Sequence, residues 1–238
     1  MDHSTTDLPI ILAQEAAGFP YEQMLVETDA LHRAFCDLND IEFRSFVGVR
    51  RGWHPWQASF NRIEFLRELW DHGFEGWFVY LDADAVIRSP RFDLRRFLGK
   101  RSGSALIASP SGAGKDRWDI NDGVFFLNLS HEAGRQIARR WWESFHDIVS
   151  DDMLRAAAAP WQSLPDGRPF PDDQHLLQML LRDNEELSSQ LLLDETGTFN
   201  FGGGKFIKQM MRSAGTYEER LESIKKVAEL ACADLSSF

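Results

Sequence analysis

The sequence predicts an α/β domain with a mostly parallel central sheet flanked by helices. In the first third of the chain, short apolar runs alternate with amphipathic helical patterns in the order β-α-β-α-β, which is expected of a parallel sheet. One run, Trp77–Leu81, carries no charge and is typical of a strand buried on both faces. The length of 238 residues, with 43% hydrophobic content, fits one domain that spans residues 1–238 and has a sizeable core.

The predicted strands are apolar or alternating runs bounded by turn residues. They cover 8–13, 42–49, 77–81, 105–109, 124–128 and part of 190–201. A polar turn, Asn121–Gly123, is predicted before the fifth.

Helices are predicted where apolar residues recur every three or four positions after a capping residue or a proline. They follow Pro20, Ser59, Ser130, Asp172 and Thr216, and a shorter amphipathic segment covers 92–98. Thr216 and Glu219 form a capping box. The proline-rich segment 150–172 is long enough to predict a functional loop.

Composition narrows the classes of partner and the compartment. A net charge of −11 and a pI near 5.1 argue against nucleic acid as the main partner, because phosphate backbones attract basic surfaces. Cys36 and Cys232 match no metal or redox spacing. No apolar run is long enough to span a membrane, and residues 1–8 lack the basic start of a secretory signal. We therefore expect a cytoplasmic protein.

Asp82 and Asp84 are the first candidate site. They follow the most strand-like run of the chain. Side chains two apart on an extended backbone point the same way, so the two carboxylates can meet just past the strand. Ligands bind at that edge of open α/β sheets, and paired carboxylates suit Mg²⁺ or Mn²⁺. The alternative is an acidic strand end that is only solvated.

The glycine-rich segment 202–205 is the second candidate. Gly203 and Gly204 let backbone N–H groups approach a ligand, a following helix start would add partial positive charge, and Lys205 supplies a full charge. This combination suits a diphosphate. A simple flexible turn is the alternative.

Two weaker candidates come from polar residues next to predicted elements. Asp173 and Gln174 begin a helix, where Asp172 can cap and Asp173 can point into a cleft; Asp173 could equally be a cap itself. Asn121 could bind sugar hydroxyls while Gly123 lets a sugar lie against the backbone, or the two could form a β-turn.

In this order, these four signals resemble the glycosyltransferases of the A-type fold, a Rossmann-like domain, and in particular the retaining galactosyl- and mannosyltransferases and the glycogenin-like group. The matching residues are Leu81–Ala85, Asn121 with Gly123–Phe125, Asp173–Gln174 and the Gly-Lys loop. The resemblance implies a nucleotide-sugar donor, an acceptor, and a divalent cofactor, Mn²⁺ or Mg²⁺, that bridges Asp82, Asp84 and the diphosphate.

The resemblance also implies roles for individual residues. Lys205 would neutralise the leaving group, and Arg62, on the helix before the metal strand, would contact the donor. Asn121 and Asp173 would hold the transferred sugar, with Asp173 near the anomeric carbon. These roles define the expected catalytic pair Asp173 and Gln174, and an expected donor site that includes Asp82, Gly123, Gly203 and Gly204.

One departure from the family pattern concerns the third metal ligand. The family carries a histidine near the C-terminal phosphate loop, whereas no histidine follows His175 in this chain. Asn200 lies about where that histidine would be, and its amide oxygen is expected to replace it. Trp161, in the proline-rich segment, is the expected acceptor residue because an aromatic ring can stack on a sugar face.

The sequence therefore predicts a metal-dependent hexosyltransferase that retains configuration. The alternative is a catalytically silent protein on the same fold that binds a sugar nucleotide or carbohydrate, which the asparagine at position 200 favours. A phosphatase with an Asp-x-Asp nucleophile fits poorly, because Asp172–Asp173 follow Pro-Phe-Pro rather than a strand.

Overall fold

A computed structural model describes residues 8–112, 116–159, 162–164, 167–194 and 197–236. The strands are β1 (Ile10–Ala16), β2 (Glu42–Val47), β3 (Trp77–Asp82), β4 (Ala85–Ile87), β5 (Leu106–Pro110), β6 (Ile120–Asn128), β7 (Leu191–Leu193) and β8 (Ile207–Gln209). The α-helices are α1 (Tyr21–Leu38), α2 (Asn61–Asp71), α3 (Leu94–Gly99), α4 (Glu132–Ile148), α5 (Asp151–Ala156), α6 (Asp173–Arg182), α7 (Glu185–Ser189) and α8 (Tyr217–Leu235). Two 3-10 helices cover Pro55–Phe60 and Arg212–Ala214.

A six-stranded sheet in the order β2-β1-β3-β6-β5-β7 forms the centre of the domain. Only β6 runs against the other strands of this sheet. The carboxyl ends of β1 and β3 therefore lie at the same edge as the start of β6. A separate two-stranded sheet pairs β4 with β8, and it begins where β3 ends.

The sheet has an apolar core on each face, because alternate side chains of every central strand point to opposite sides. Phe78 and Tyr80 of β3 pack with helices α2, α4 and α6, whereas Val79 and Leu81 pack with α1, α3 and α8. This arrangement confirms the predicted mixed α/β fold with a mostly parallel sheet.

Several local predictions are wrong. Asp82 and Asp84 were expected on one extended backbone, but a turn at Ala83–Asp84 separates β3 from β4, because the chain leaves the central sheet there to pair with β8. Asn121–Gly123 is not a turn but part of β6. The glycine-rich loop leads into strand β8 and not into a helix. Ser59 and Ser130 cap no helix; His131 caps α4.

Other predictions are confirmed at the level of single contacts. Asp172 Oδ1 accepts a hydrogen bond of 2.7 Å from the backbone N–H of His175 and so caps α6. Thr216 and Glu219 form the capping box of α8. Within the described ranges, no helix has both the length and the apolar character that crossing a membrane requires.

Candidate functional site

A cavity of about 520 Å³ opens at the edge of the sheet where β1 and β3 end. Its floor is formed by the ends of these strands and the start of β6, and its walls come from three further parts of the chain. These are the 3-10 helix at 55–60, the first turn of α6 and the segment 209–213. The position agrees with the general rule that ligands bind beyond the carboxyl ends of parallel strands.

Asp82 and Asp84 both line this cavity and converge on one side chain. The amide nitrogen Nε2 of Gln209 lies 3.1 Å from Asp82 Oδ2 and 3.1 Å from Asp84 Oδ1. The convergence arises from the turn between β3 and β4, and not from the alternation of one extended strand. Gln209 reaches the pair because β8 pairs with β4, with Gln209 opposite Ala85.

Arg62 of α2 pairs with Oδ1 of Asp82, the carboxylate oxygen that does not contact Gln209. Its Nη2 lies 2.5 Å from Asp82 Oδ1, and the same guanidinium is 3.3 Å from Asp122 Oδ2 and 3.2 Å from Asp173 Oδ2. Arg62 is only 3% exposed and stacks on the ring of Tyr80 at 4.3 Å. The predicted donor residue thus lies in the cavity, but its charge is shared by three carboxylates.

Arg220 of α8 pairs with Oδ2 of Asp84, the carboxylate oxygen that does not contact Gln209. Its Nη2 pairs with Asp84 Oδ2, and its Nε donates a hydrogen bond of 2.6 Å to the carbonyl of Met210. Both side chains of this ion pair are buried. Each carboxylate of the acidic pair therefore has one oxygen on an arginine, from α2 or α8, and its other oxygen 3.1 Å from Gln209 Nε2.

The cavity concentrates negative charge. Burial raises the pKa of Asp82 to about 7, and the charges of Asp84 and Asp173 add to this effect while Arg62 opposes it. Burial likewise raises the pKa of Asp84, which Arg220 opposes, and raises the pKa of Asp122 well above its ordinary range. A further cation at this position would relieve the repulsion.

The donor atoms at this point fit a hard divalent cation. Among the described residues, no group of three or more His, Cys, Asp or Glu side chains is arranged to hold a metal ion. The acidic pair, however, is completed by the amide of Gln209, whose Oε1 is buried and has no hydrogen-bond partner. Rotating this amide by half a turn brings its oxygen to the two carboxylates, giving three oxygen ligands of the kind that Mg²⁺ and Mn²⁺ accept.

Asn200, the predicted third ligand, does not line the cavity. Its Nδ2 donates a hydrogen bond of 3.1 Å to the carbonyl of Asn121, and its backbone has a φ of 69°. The side-chain amide that contacts the acidic pair from the C-terminal part of the chain is instead that of Gln209. The structure thus places a different amide in the position that we assigned to Asn200.

Asn121 and Gly123 have different surroundings. Asn121 lines the cavity, and its Oδ1 accepts a hydrogen bond of 2.8 Å from the N–H of Gly123. A Cβ atom at position 123 would lie 2.7 Å from Asp82 Oδ2 and 2.4 Å from Gln209 Nε2. Glycine is required at 123 because Asp82 and Gln209 pack against it, a different reason from the predicted sugar contact.

Asp173 and Gln174 point into the cavity from the start of α6, as the sequence predicted. Asp172 caps the helix, which leaves Asp173 free to pair with Arg62. Gln174 Oε1 accepts a hydrogen bond of 3.3 Å from the N–H of Asp122. Both residues are therefore held in the cavity lining by partners on α2 and β6.

The glycine-lysine loop lies apart from the cavity. Gly203, Gly204 and Lys205 are not among its lining residues, and a Cβ at Gly204 would meet the carbonyl of Ile207 at 1.9 Å. The close approach at Gly204 is thus to its own chain. Lys205 is exposed. Trp161, the predicted acceptor residue, lies outside the described residues.

Arg212 is the exposed cation in the lining of the cavity. It follows Gln209 by three residues, and its Nε donates a hydrogen bond of 3.1 Å to the hydroxyl of Tyr21. Burial lowers the pKa of Arg212, but the hydrogen bond to Tyr21, with smaller contributions from the charges of Asp84 and Asp82, raises it above its ordinary value. Its guanidinium is therefore the positive charge that an anionic ligand in this cavity can reach.

Sequence reasoning missed four residues of the site: Asp122, Gln209, Arg212 and Arg220. Asp122 stands between two predicted residues and could have been recognised, because its neighbours on both sides were selected. The other three carry no local signal, since they lie more than 120 positions from the acidic pair and meet it only through the pairing of β8 with β4 and the packing of α8.

The fold of this chain is glycosyltransferase-like. A crystal structure of a glycosyltransferase involved in glycosylation of the major capsid of PBCV-1 aligns with a TM-score of 0.63 at 16% identity, covering 92% of this chain and all of that one. The apo form of the glycosyltransferase GlyE from Streptococcus pneumoniae TIGR4 aligns with a TM-score of 0.51 at 12% identity, covering 96% of this chain and 64% of that one. Comparison of the sequence with family models and with curated proteins gives no match.

Proposed function

We propose that this protein transfers a sugar from a nucleotide-sugar donor to an acceptor, with Mn²⁺ or Mg²⁺ bound between Asp82 and Asp84. One observation carries the proposal. Two carboxylate oxygens converge within 3.1 Å of the same amide atom, in a cavity at the ligand-binding edge of a glycosyltransferase-like fold. The aspartate pair and Gln209 are the proposed ligands. The bound cation would act as a Lewis acid toward the leaving diphosphate.

The chain's own residues would position the donor. Arg212 would contact the diphosphate, since it is the exposed cation in the cavity lining, and this role replaces the one expected for Lys205. Asn121, Asp173 and Gln174 would contact the transferred sugar, because they line the cavity together with Asp82 and Asp84. Orientation and charge stabilisation of this kind supply a large part of the rate in group-transfer enzymes.

Arg62 and Arg220 would act on the ligands of the cation. By pairing with one oxygen of each aspartate, they would keep Asp82 Oδ2 and Asp84 Oδ1 directed at the proposed cation. Hydrogen-bond partners behind metal ligands orient those ligands and raise metal affinity in many proteins. For the stereochemistry we propose retention, as the family resemblance implies; the anomeric configuration of the product, read by proton NMR, tests it.

The proposal is tested by donor turnover. The protein is incubated with a panel of nucleotide sugars, with and without Mn²⁺, and release of nucleoside diphosphate is measured. We expect release that depends on the metal and is lost in Asp82→Asn. Turnover that is equal with Mn²⁺ and with a chelator would contradict the metal-dependent reaction.

A second candidate function is binding of a sugar nucleotide without transfer. The observation in its favour is that one oxygen of Asp82 and one of Asp84 already pair with arginines, Arg62 and Arg220. A silent protein would raise its melting temperature with donor, as any ligand specific to the folded state does. It would release no nucleoside diphosphate during prolonged incubation with a range of acceptors.

A further inference from the structure

A fully buried polar network lies directly behind the turn that carries Asp84. Gln14 of β1 and Thr28 and His32 of α1 are 0% exposed. Gln14 Nε2 donates hydrogen bonds of 3.0 Å to the carbonyls of both Asp82 and Ala85. These two carbonyls flank the turn, so a single amide group ties its two ends together.

The orientation of the Gln14 amide is fixed by its other partners. Thr28 Oγ1 lies 2.9 Å and His32 Nδ1 lies 3.0 Å from Gln14 Oε1. The backbone N–H of Ile87 can only donate, so His32 Nε2, at 3.2 Å, accepts from it. The imidazole is then neutral with its proton on Nδ1, which donates to Gln14 Oε1. Every group in the chain of contacts therefore has one consistent role.

The network is located where the regular sheet stops. The pairing of β1 with β3 ends at Glu15 and Asp82, and β4 pairs with β8 instead. Beyond Asp82 the chain is no longer aligned by the central sheet, yet the two carboxylates must stay in register to face each other. The hydrogen bonds from Gln14, together with that from Met210 N–H to the carbonyl of Asp84 at 2.9 Å, set that register.

We propose that Gln14 is a positioning residue for the acidic pair: its amide fixes the turn so that Asp82 and Asp84 present convergent oxygens to a divalent cation. The inference rests on the proposed metal site. It extends that site to a residue that contacts neither the cation nor the donor and acts only through backbone carbonyls. Loss of such support typically lowers metal affinity by about 10- to 100-fold.

The test compares Gln14→Met with a matched control, Asn128→Leu. Methionine keeps the length of the side chain but makes neither hydrogen bond. Asn128 is also a buried amide, bonded to the carbonyl of Ser102 at 3.2 Å, and it pairs with Trp77 at the far end of β3. Mn²⁺ affinity is measured from the signal of free Mn²⁺ in electron paramagnetic resonance, and folding is followed by melting temperature and circular dichroism.

We expect both variants to melt below the wild type, but only Gln14→Met to weaken Mn²⁺ binding, by about tenfold or more. Equal Mn²⁺ affinity in the wild type and Gln14→Met would overturn the inference, as would equal weakening in the control. Should Gln14→Met not fold, Gln14→Asn withdraws the amide by one methylene group, and the same weakening is expected.

Failure of the proposed function is distinguishable from failure of this inference. If wild type and Asp84→Asn bind Mn²⁺ equally poorly, the metal site is wrong. The role of Gln14 in fixing the turn is then tested by amide hydrogen exchange of residues 83–87, which we expect to be faster in Gln14→Met than in the wild type. Unchanged exchange in these residues would overturn the inference on its own.

Discussion

Arg62 Nη2 lies 2.5 Å from Asp82 Oδ1. The second oxygen of Asp82 is left to face Gln209. Arg220 pairs in the same way with Oδ2 of Asp84, and Oδ1 of Asp84 is left to face Gln209. In each carboxylate of the acidic pair, one oxygen therefore pairs with an arginine and the other is directed at Gln209.

Replacing Arg62 by methionine is expected to destabilise the protein by about 3–5 kcal/mol, because it leaves buried carboxylates without their counter-charge. Urea unfolding measures the change. Arg67→Met is the matched control on the same helix: its pair with Asp71 is 47% exposed on both sides, so the expected loss is below about 1 kcal/mol. Equal losses of unfolding free energy in the two variants would show that the buried ion pairs of Arg62 stabilise the fold no more than the exposed pair of Arg67.

Gln209→His is expected to raise Mn²⁺ affinity, because imidazole is a stronger ligand than an amide oxygen for this metal. Asn200→His is the comparison, since Asn200 lies outside the cavity lining and its backbone conformation tolerates histidine. Titration with Mn²⁺ decides between them. A gain in Asn200→His but not in Gln209→His would restore the assignment made from the sequence.

Arg212→Ala is expected to raise the KM for a nucleotide sugar by roughly tenfold or more, since a charge-assisted hydrogen bond contributes about 1.5–3 kcal/mol. Lys205→Ala should leave KM within about twofold, because Lys205 is not among the residues that line the cavity. Steady-state kinetics on both variants provides the measurement. The reverse pattern would return the diphosphate contact to the glycine-lysine loop.

Acid is expected to destabilise the fold through His32. Burial lowers its pKa from the ordinary 6.5 to about 3, and the charge of Asp29 only partly opposes this effect. Between these two values the unfolded chain binds a proton that the folded chain does not. The free energy of unfolding therefore falls as pH is lowered below 6.5, by up to about 1.4 kcal/mol per pH unit.

The measurement is the difference in unfolding free energy between wild type and His32→Asn at several pH values. Taking the difference cancels the contribution of the buried carboxyl groups to the pH dependence. Their raised pKa values would make the folded state more stable, not less, as the pH is lowered. We expect the stability advantage of the wild type to shrink between pH 6.5 and 5. A constant difference over that range would mean that His32 is protonated equally in both states.

The sequence predicted those parts of the fold and site that depend on local patterns. The apolar run Trp77–Leu81, the cap at Asp172 and the capping box of Thr216 each depend on neighbouring residues, and each was predicted correctly. Asp82, Asp84, Asp173 and Gln174 were found for the same reason: each stands at the end of a recognisable element.

The parts that were missed depend on contacts between distant segments. Asn200 was assigned because it lies about where the resembling family carries a histidine, whereas the pairing of β8 with β4 brings the amide of Gln209 to the aspartates. The turn at Ala83–Asp84 was not predicted because its hydrogen bonds come from Gln14, about 70 residues earlier. Burial of Arg220 against Asp84 follows from the docking of α8, which no local pattern indicates.

The central claim is that Asp82 and Asp84 hold a divalent cation together. The most direct measurement is the anomalous scattering of Mn²⁺ in a crystal grown with MnCl₂ and a nucleoside diphosphate. We predict one strong peak between Asp82 Oδ2 and Asp84 Oδ1, within about 2.3 Å of each oxygen and of a phosphate oxygen. A crystal that holds the nucleotide in this cavity but shows no anomalous peak between the two aspartates would contradict the account.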